Sequence, residues 1–178
     1  KEMSQKTQYL DIDIKAANFE VDTEAYTVSG YLAIFNTEDL GGDVILPTAL
    51  RSIPKSIPML WCHNQSEPIG VWENITVDTV GIKATGRLAK GVAKAEEALK
   101  LFNIGAVKGL SIGYRTHEAS YESSTGIRYL KSISLHEGSW TPIPMHPDAR
   151  IESAKSLDTE RKSQFEAILQ ELRQITVR

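Results

Sequence analysis

The sequence contains very little cysteine: Cys62 is the single one in 178 residues. One thiol cannot form an intrachain disulfide, so the core has to hold the fold together, as is usual for cytoplasmic proteins. Paired-cysteine and HExxH spacings are also missing, and such spacings mark most zinc sites. We therefore expect a cytoplasmic protein with no metal and no other cofactor.

The sequence also lacks an excess of one charge and any long apolar run. Its 20 basic and 23 acidic side chains give a formal net charge of -3, and they are mixed along the chain. This pattern does not indicate a nucleic-acid-binding or membrane-binding surface. No window approaches the roughly 18 apolar residues of a transmembrane helix, and the N-terminus has no signal-peptide core. We expect neither nucleic acid nor membrane as a partner.

Alternating apolar residues predict a fold made mainly of strands. The hydrophobic content of 41% in 178 residues suits one compact core. Residues 92–104 have apolar side chains at helical spacing and predict a helix. We predict an α+β fold, a mainly antiparallel β-barrel flanked by a few helices. The predicted strands are residues 9–14, 26–35, 57–63, 69–77, 80–88, 110–115, 127–135 and 139–143.

The composition changes after Arg150 to charged and helix-favouring residues with one apolar stripe. This change predicts a main domain over residues 1–150 and a C-terminal amphipathic helix or tail over residues 151–178. A plain packing or dimer helix is the simplest interpretation of the second segment.

Ser111 lies between two glycines in residues 109–113 (GLSIG). A serine nucleophile needs a base and nearby backbone N–H donors, and flanking glycines permit the close backbone approach that this requires. A serine between glycines is also common at ordinary strand starts. The segment matches the G-x-S-x-G expression of α/β-hydrolases, but the residues after it favour a strand instead of the helix that follows a nucleophile elbow.

His63 and Glu137 are the candidate partners of this serine. His63 ends the apolar run of residues 57–63, which would bring its imidazole from the core to the rim of a sheet. We predict that His63 and Glu137 lie on strands that face Ser111 across the barrel wall. Glu137 follows the alternation of Ile133 and Leu135 and is predicted to point inward with them, where it needs a partner. It could orient a catalytic histidine, as the third member of a triad does, or form a structural ion pair with an arginine.

Several short segments, taken in order, resemble the prohead proteases of tailed bacteriophages, which are related in fold to the herpesvirus capsid-assembly proteases. The likeness covers roughly residues 28–150. The matching segments are residues 30–36 (GYLAIFN), 42–43 (GD), 47–49 (PTA), 60–64 (LWCHN), 109–114 (GLSIGY) and 135–144 (LHEGSWTPIP).

The resemblance implies a serine protease with an acyl-enzyme mechanism, in which Ser111 is the nucleophile, His63 the general base and Glu137 the acidic third member. Because the herpesvirus enzymes have a second histidine in that third position, His136 and His117 remain competitors. Backbone amides are expected to form the oxyanion hole, and an arginine such as Arg115 or a later one could assist. Cys62 is predicted to be a small buried hydrophobic residue and not the nucleophile.

The resemblance also implies the biology. The substrate would be the scaffolding segment of the major capsid protein, cut inside the procapsid shell in the host cytoplasm. The enzyme would then digest itself, so that it is absent or fragmented in the mature virion, and it could act as a dimer. The tail over residues 151–178 would be a tether, a dimer element or an autocleaved segment. A non-catalytic capsid scaffold protein and a hydrolase of small esters are the alternatives.

Overall fold

A computed structural model describes residues 26–155, which form eight strands and one helix. The predicted strand at residues 9–14 and the predicted helix beyond residue 155 lie outside the described residues. The elements are β1 Tyr26–Ile34, β2 Asp43–Ile45, β3 Ile57–Trp61, β4 Asn64–Val77, β5 Gly81–Leu88, α1 Ala93–Asn103, β6 Gly109–Tyr121, β7 Arg128–Thr141 and β8 Ile151–Lys155.

The strands form one curled sheet in the order β2-β7-β3-β4-β5-β1-β8, with β6 on the other side of β7. Pairing is antiparallel except where β2 and β3 run parallel to β7. A bridge between Gly109 and Arg150 joins the β6 edge to the β8 edge, with a hydrogen bond of 2.7 Å from the Leu110 N–H to the Ala149 carbonyl. The prediction of a mainly antiparallel, barrel-like fold is confirmed.

The core fills the inside of this curled sheet. Trp72, Trp140 and Leu110 are fully buried, and α1 covers one end, where the Phe102 ring lies 5.8 Å from the Trp140 ring. Burying one leucine or isoleucine side chain contributes about 1.5–3 kcal/mol, so the core fixes β6 and β7 firmly. In residues 26–155, no helix is long and apolar enough to cross a membrane.

The predicted hairpin of residues 69–77 and 80–88 is present as β4 and β5, and the predicted helix is present as α1. The separate strands predicted at residues 127–135 and 139–143 are instead one long strand, β7. The gap between the two predicted strands covers residues 136–138, which include Gly138, and glycine is depleted in strands. In the fold, β6 pairs with β7 on both sides of this point, so the strand continues through it.

The first residues of the predicted C-terminal tail lie within the described part of the chain. Residues 151–155 form β8, which pairs antiparallel with β1 and so belongs to the sheet. The Ile151 N–H also donates to the Lys108 carbonyl at 2.9 Å. The charged composition after Arg150 concealed this strand, because an edge strand needs few apolar residues.

Candidate active site

The pairing of β6 with β7 places three polar side chains on one face of the sheet. Ser111 lies opposite Ser139, and Gly113 lies opposite Glu137. Residues two apart in a strand point to the same face, so the two hydroxyls and the carboxylate lie side by side. Just beyond this point Tyr114 pairs with Leu135, which leaves one extra residue in β7 as a bulge. Bulges often lie next to active sites, where they redirect side chains.

His63 reaches this face from a tight turn between β3 and β4, where Trp61 pairs with Asn64. The φ angles of Cys62 and His63 are 49° and 62°, both in the left-handed region. Two positive φ angles are the pattern of a type I′ hairpin turn, which normally favours asparagine and glycine. The prediction that His63 lies on a strand and faces Ser111 across the barrel is therefore wrong. The turn lies beside β7, and the imidazole crosses that strand to reach β6.

The imidazole of His63 contacts both of its predicted partners. Its Nε2 lies 3.0 Å from the Ser111 Oγ, and its Nδ1 lies 2.5 Å from the Glu137 Oε1. The hydrogen bond that His63 donates to Glu137 raises the pKa of His63 above its ordinary value, against an opposing effect of burial. The geometry suits an imidazole that accepts a proton at Nε2 while Nδ1–H donates to the carboxylate.

Within residues 26–155, the partners of the Glu137 carboxylate are His63 and Ser139, and not the arginine considered from sequence. The Glu137 side chain is 13% exposed, and its second oxygen, Oε2, accepts a hydrogen bond of 2.7 Å from the Ser139 hydroxyl. Ser139 also accepts the His63 backbone N–H at 3.0 Å. Sequence analysis gave Ser139 no role of its own. The available signal was its position two residues after Glu137, on the same face of the strand.

The competing histidines lie elsewhere. His117 contacts the Ser134 hydroxyl through Nε2 at 2.6 Å, and His136 is exposed at the bulge of β7. Arg115 is exposed on β6, opposite Ser134. Among the described residues, Glu137 is the group in contact with Nδ1 of His63. In the same range, no group of three or more histidine, cysteine or acidic side chains is arranged to hold a metal ion.

Cys62 is exposed, so the prediction that it is a buried residue is wrong. It is the first of the two left-handed turn residues, and the turn carries it to the surface. Its backbone N–H donates to the Trp140 carbonyl at 3.0 Å, which fixes the turn to β7. Desolvation raises the pKa of the Cys62 thiol, which keeps the thiol protonated and weakly nucleophilic.

Trp72 of β4 contacts β7 from the core side, at the residue between Glu137 and Ser139. Its indole N–H donates to the Gly138 carbonyl at 3.0 Å inside the core. A Cβ at Gly138 would lie 2.7 Å from the indole nitrogen, so glycine is required for this approach. Any shift of β7 here would move Glu137 and Ser139 together.

A cavity of about 80 Å³ adjoins Ser111. Its walls are mainly apolar, and its rim is formed by two loops that join where the Leu40 N–H donates to the Met145 carbonyl at 2.9 Å. Hydrogen bonds from Arg128 and Tyr114 outweigh burial and lower the pKa of Asp43, another lining residue. The walls include Leu32, Ile45, Leu110, Met145, Ala149 and Asp43.

We predict that Gly113→Ala lowers kcat by about 100-fold while the protein stays folded. A Cβ at Gly113 would lie 2.3 Å from the Glu137 Oε1, so the carboxylate has to move away from the His63 Nδ1. Steady-state kinetics on a peptide substrate and a thermal melt of the same sample measure both quantities.

The matched control is Gly126→Ala, in the turn between β6 and β7. A Cβ there meets nothing within 4 Å, but φ is +79°, so alanine costs about 1 kcal/mol of stability. This variant should lose thermal stability and keep its kcat. If Gly113→Ala keeps the wild-type kcat, the proposed importance of the carboxylate position is wrong.

Comparison with solved structures finds herpesvirus proteases. The KSHV protease in complex with a hexapeptide phosphonate inhibitor matches with a TM-score of 0.48 and 13% identity, over 72% of this chain and 64% of that one. The varicella-zoster virus protease matches with a TM-score of 0.46 and 14% identity, over 83% and 77% of the two chains.

Comparison with characterised sequences finds phage proteins. The chain is 29% identical to the prohead protease of Enterobacteria phage HK97, over 88% of this chain and 72% of that protein. The prohead protease of Escherichia phage T5 is 26% identical, over 90% and 80%. A capsid polyprotein of Pseudomonas phage PAJU2 is 32% identical over 90% of this chain, which corresponds to 24% of that polyprotein.

A family model described as caudovirus prohead serine protease matches residues 11–163. This range includes every described residue and all of the contacts that join Ser111, His63 and Glu137. The chain belongs to the prohead serine protease family of tailed bacteriophages.

Proposed function

We propose that this protein is an endopeptidase that cuts the scaffolding segment of the major capsid protein inside the procapsid and then cuts itself. Ser111, His63 and Glu137 form its catalytic triad. The observation that carries the proposal is that the two ring nitrogens of His63 contact the hydroxyl of Ser111 and the carboxylate of Glu137.

The first chemical step is attack of the Ser111 Oγ on the carbonyl carbon of the substrate bond. The Nε2 of His63, 3.0 Å away, takes the hydroxyl proton as the new C–O bond forms. Glu137 stabilises the imidazolium through the short bond to Nδ1 and does not itself take the proton. The imidazolium then gives its proton to the leaving amine, which leaves an acyl-enzyme on Ser111.

Water completes the reaction by the same route. It replaces the amine, His63 removes its proton, and collapse of the second tetrahedral intermediate returns that proton to the Ser111 oxygen. Backbone N–H groups near Ser111 are proposed to hold the negatively charged oxygen in both steps. These steps need no redox partner or metal, because they move only protons and an acyl group.

The proposed substrate follows from the family and from one relative. The similar region makes up 24% of the PAJU2 protein, and that protein is named a capsid polyprotein. Joining a protease to its substrate raises the effective concentration of each for the other. Enclosure of this protein in a procapsid in the host cytoplasm would have the same effect, and self-cleavage would then allow its fragments to leave.

Co-expression with the cognate major capsid protein tests this function. We expect intact-mass spectrometry to show a shortened capsid protein with the wild-type enzyme and a full-length one with His63→Ala. His117→Ala, which removes a histidine away from Ser111, should cleave like the wild type.

The other functions give different masses. A non-catalytic scaffold protein would leave the capsid protein intact with all three enzymes, even though shells assemble. A hydrolase of small esters would also leave it intact but would release p-nitrophenol from p-nitrophenyl acetate in a His63-dependent way. Either result would overturn the proposed function.

A further inference from the structure

Ser139 is completely buried in β7, yet both hydrogen-bonding capacities of its hydroxyl are used at the site. Its proton is donated to the Glu137 Oε2 at 2.7 Å, and its oxygen accepts the His63 backbone N–H at 3.0 Å. A serine hydroxyl has one donor and two acceptor positions, so this arrangement is fully compatible with its chemistry. One hydroxyl therefore connects the base and the acid.

The first consequence concerns the orientation of Glu137. Its Oε1 contacts the His63 Nδ1, and a carboxylate held at one oxygen alone can rotate about its terminal torsion. The bond from Ser139 to Oε2 holds the second oxygen, and bonds to a charged acceptor are the stronger ones. Both oxygens together fix the plane of the carboxylate relative to the imidazole.

The second consequence concerns the turn that carries His63. His63 has a φ of 62°, which a residue with a side chain adopts only when its surroundings enforce it. Its N–H points into the structure and needs an acceptor, and Ser139 supplies one. The same hydroxyl thus also fixes the backbone from which the imidazole extends.

We infer that Ser139 is a positioning residue of the active site, whose hydroxyl locks the Glu137 carboxylate and the His63 turn into one rigid unit. This inference rests on the proposed function. It assigns Ser139 no contact with the substrate, since the residue is completely buried and its hydroxyl is bonded to Glu137 and His63.

Ser132 provides an unusually close control. It lies on the same strand, is 2% exposed, and its hydroxyl has no hydrogen-bond partner among the described residues. Burial of a serine in β7 therefore does not by itself imply a role in the site. Ser132→Ala removes a buried hydroxyl that makes no bond, so it should be neutral or stabilising.

The test compares Ser139→Ala, Ser139→Cys and Ser132→Ala with the wild type. Cysteine fills the space of serine but is a weak hydrogen-bonding group, so it preserves packing where alanine leaves a small void. We expect kcat to fall about 10- to 100-fold in both Ser139 variants, with KM little changed, because positioning affects the chemical step. Ser132→Ala should match the wild type.

A second measurement is independent of turnover. The proton between His63 Nδ1 and Glu137 should give a strongly downfield ¹H NMR signal, because the bond is short. That signal should move upfield or broaden in both Ser139 variants and stay in place in Ser132→Ala. In addition, Ser139→Ala should cause a smaller loss of kcat in a Glu137→Ala background than in the wild type, because the part of its effect that acts through Glu137 is already absent there.

The experiments give different results if the inference fails and if the proposed function fails. If the wild type cleaves and both folded Ser139 variants keep its kcat and its downfield signal, Ser139 is not a positioning residue. A full additional loss in the Glu137→Ala background would overturn the inference too. If neither the wild type nor Ser132→Ala cleaves the capsid protein, the proposed function fails, and the NMR comparison still tests the link between Ser139 and Glu137.

Discussion

Ser111→Ala is expected to lower kcat by about a million-fold and to leave the fold intact. Without the hydroxyl there is no acyl-enzyme, so the His63 and Glu137 pair has nothing to activate. Only the binding and electrostatic contributions of the site remain, and these give a small residual rate over water. Cleavage of a fluorogenic peptide from the capsid scaffolding segment, followed for days with concentrated enzyme, measures the remaining activity.

Stability should change little, because the substitution removes a single hydroxyl from a residue that is 6% exposed, and the hydrogen bond lost with it is the one to His63. The matched control is Ser120→Ala, farther along β6, which should keep the full rate. A thermal melt of all three proteins separates loss of catalysis from loss of fold. If Ser111→Ala keeps more than about a thousandth of the wild-type kcat, another residue is the nucleophile.

The same variant should also accumulate uncut. If the enzyme digests itself, wild-type protein incubated alone will show shorter species with time, whereas Ser111→Ala will stay at full length. Mixing a trace of wild type with excess Ser111→Ala distinguishes cutting between molecules from cutting within one molecule. Cutting between molecules requires that the variant be degraded at a rate proportional to the added wild type.

Local patterns were sufficient for much of the fold. The hairpin of β4 and β5 and the helix α1 were predictable because alternation and helical spacing are properties of short windows. Strands β2 and β8 were not predictable from such windows. Asp43 lies in a polar, glycine-rich stretch, and β2 becomes a strand only because it pairs in parallel with the distant β7. Such pairing is a tertiary property and leaves little local signal.

The site was predictable in its members but not in its arrangement. Ser111, His63 and Glu137 were recognisable as candidates from residue chemistry and family resemblance, and in the structure His63 contacts the other two. The turn at His63 was not foreseen, because two-residue hairpin turns of this type are normally recognised from asparagine, aspartate or glycine, and Cys62 and His63 are none of these. Local rules are most often broken at functional sites, where tertiary contacts compensate for the strain.

The residues that surround the three candidate catalytic side chains were the hardest to identify from the sequence. Gly113 and Gly138 are required because a carboxylate and an indole occupy the space of their side chains. A sequence shows a glycine but not what lies against it. The role of Ser139 likewise depends on the parallel pairing of β3 with β7, which brings the His63 turn beside it.

Glu137→Gln is expected to have the second-largest effect, a fall in kcat of about 10,000-fold with the geometry preserved. Glutamine keeps the size of the side chain but carries no charge, so the imidazolium formed during attack loses its stabilisation. Its amide can also donate to the His63 Nδ1, which would leave the proton on Nε2. An imidazole with a proton on Nε2 cannot accept one from Ser111.

The pH dependence should change in a defined direction. The Glu137 hydrogen bond raises the pKa of His63, and the base works only when neutral, so wild-type kcat/KM should fall on acidification through a pKa above about 6.5. Removing the charge removes the cause of the increase. The acid limb of Glu137→Gln should therefore lie at lower pH than that of the wild type, although its plateau is far lower.

Two measurements decide this prediction. The pH profile of kcat/KM gives the acid limb, and an NMR titration of the His63 ring gives its pKa without turnover. Glu118→Gln, at an exposed position of β6, is the matched control and should change neither. An acid limb that stays in place in Glu137→Gln, together with an unchanged His63 titration, would mean that Glu137 does not set the protonation of the base. The third member of the triad would then have to be sought among groups other than Glu137.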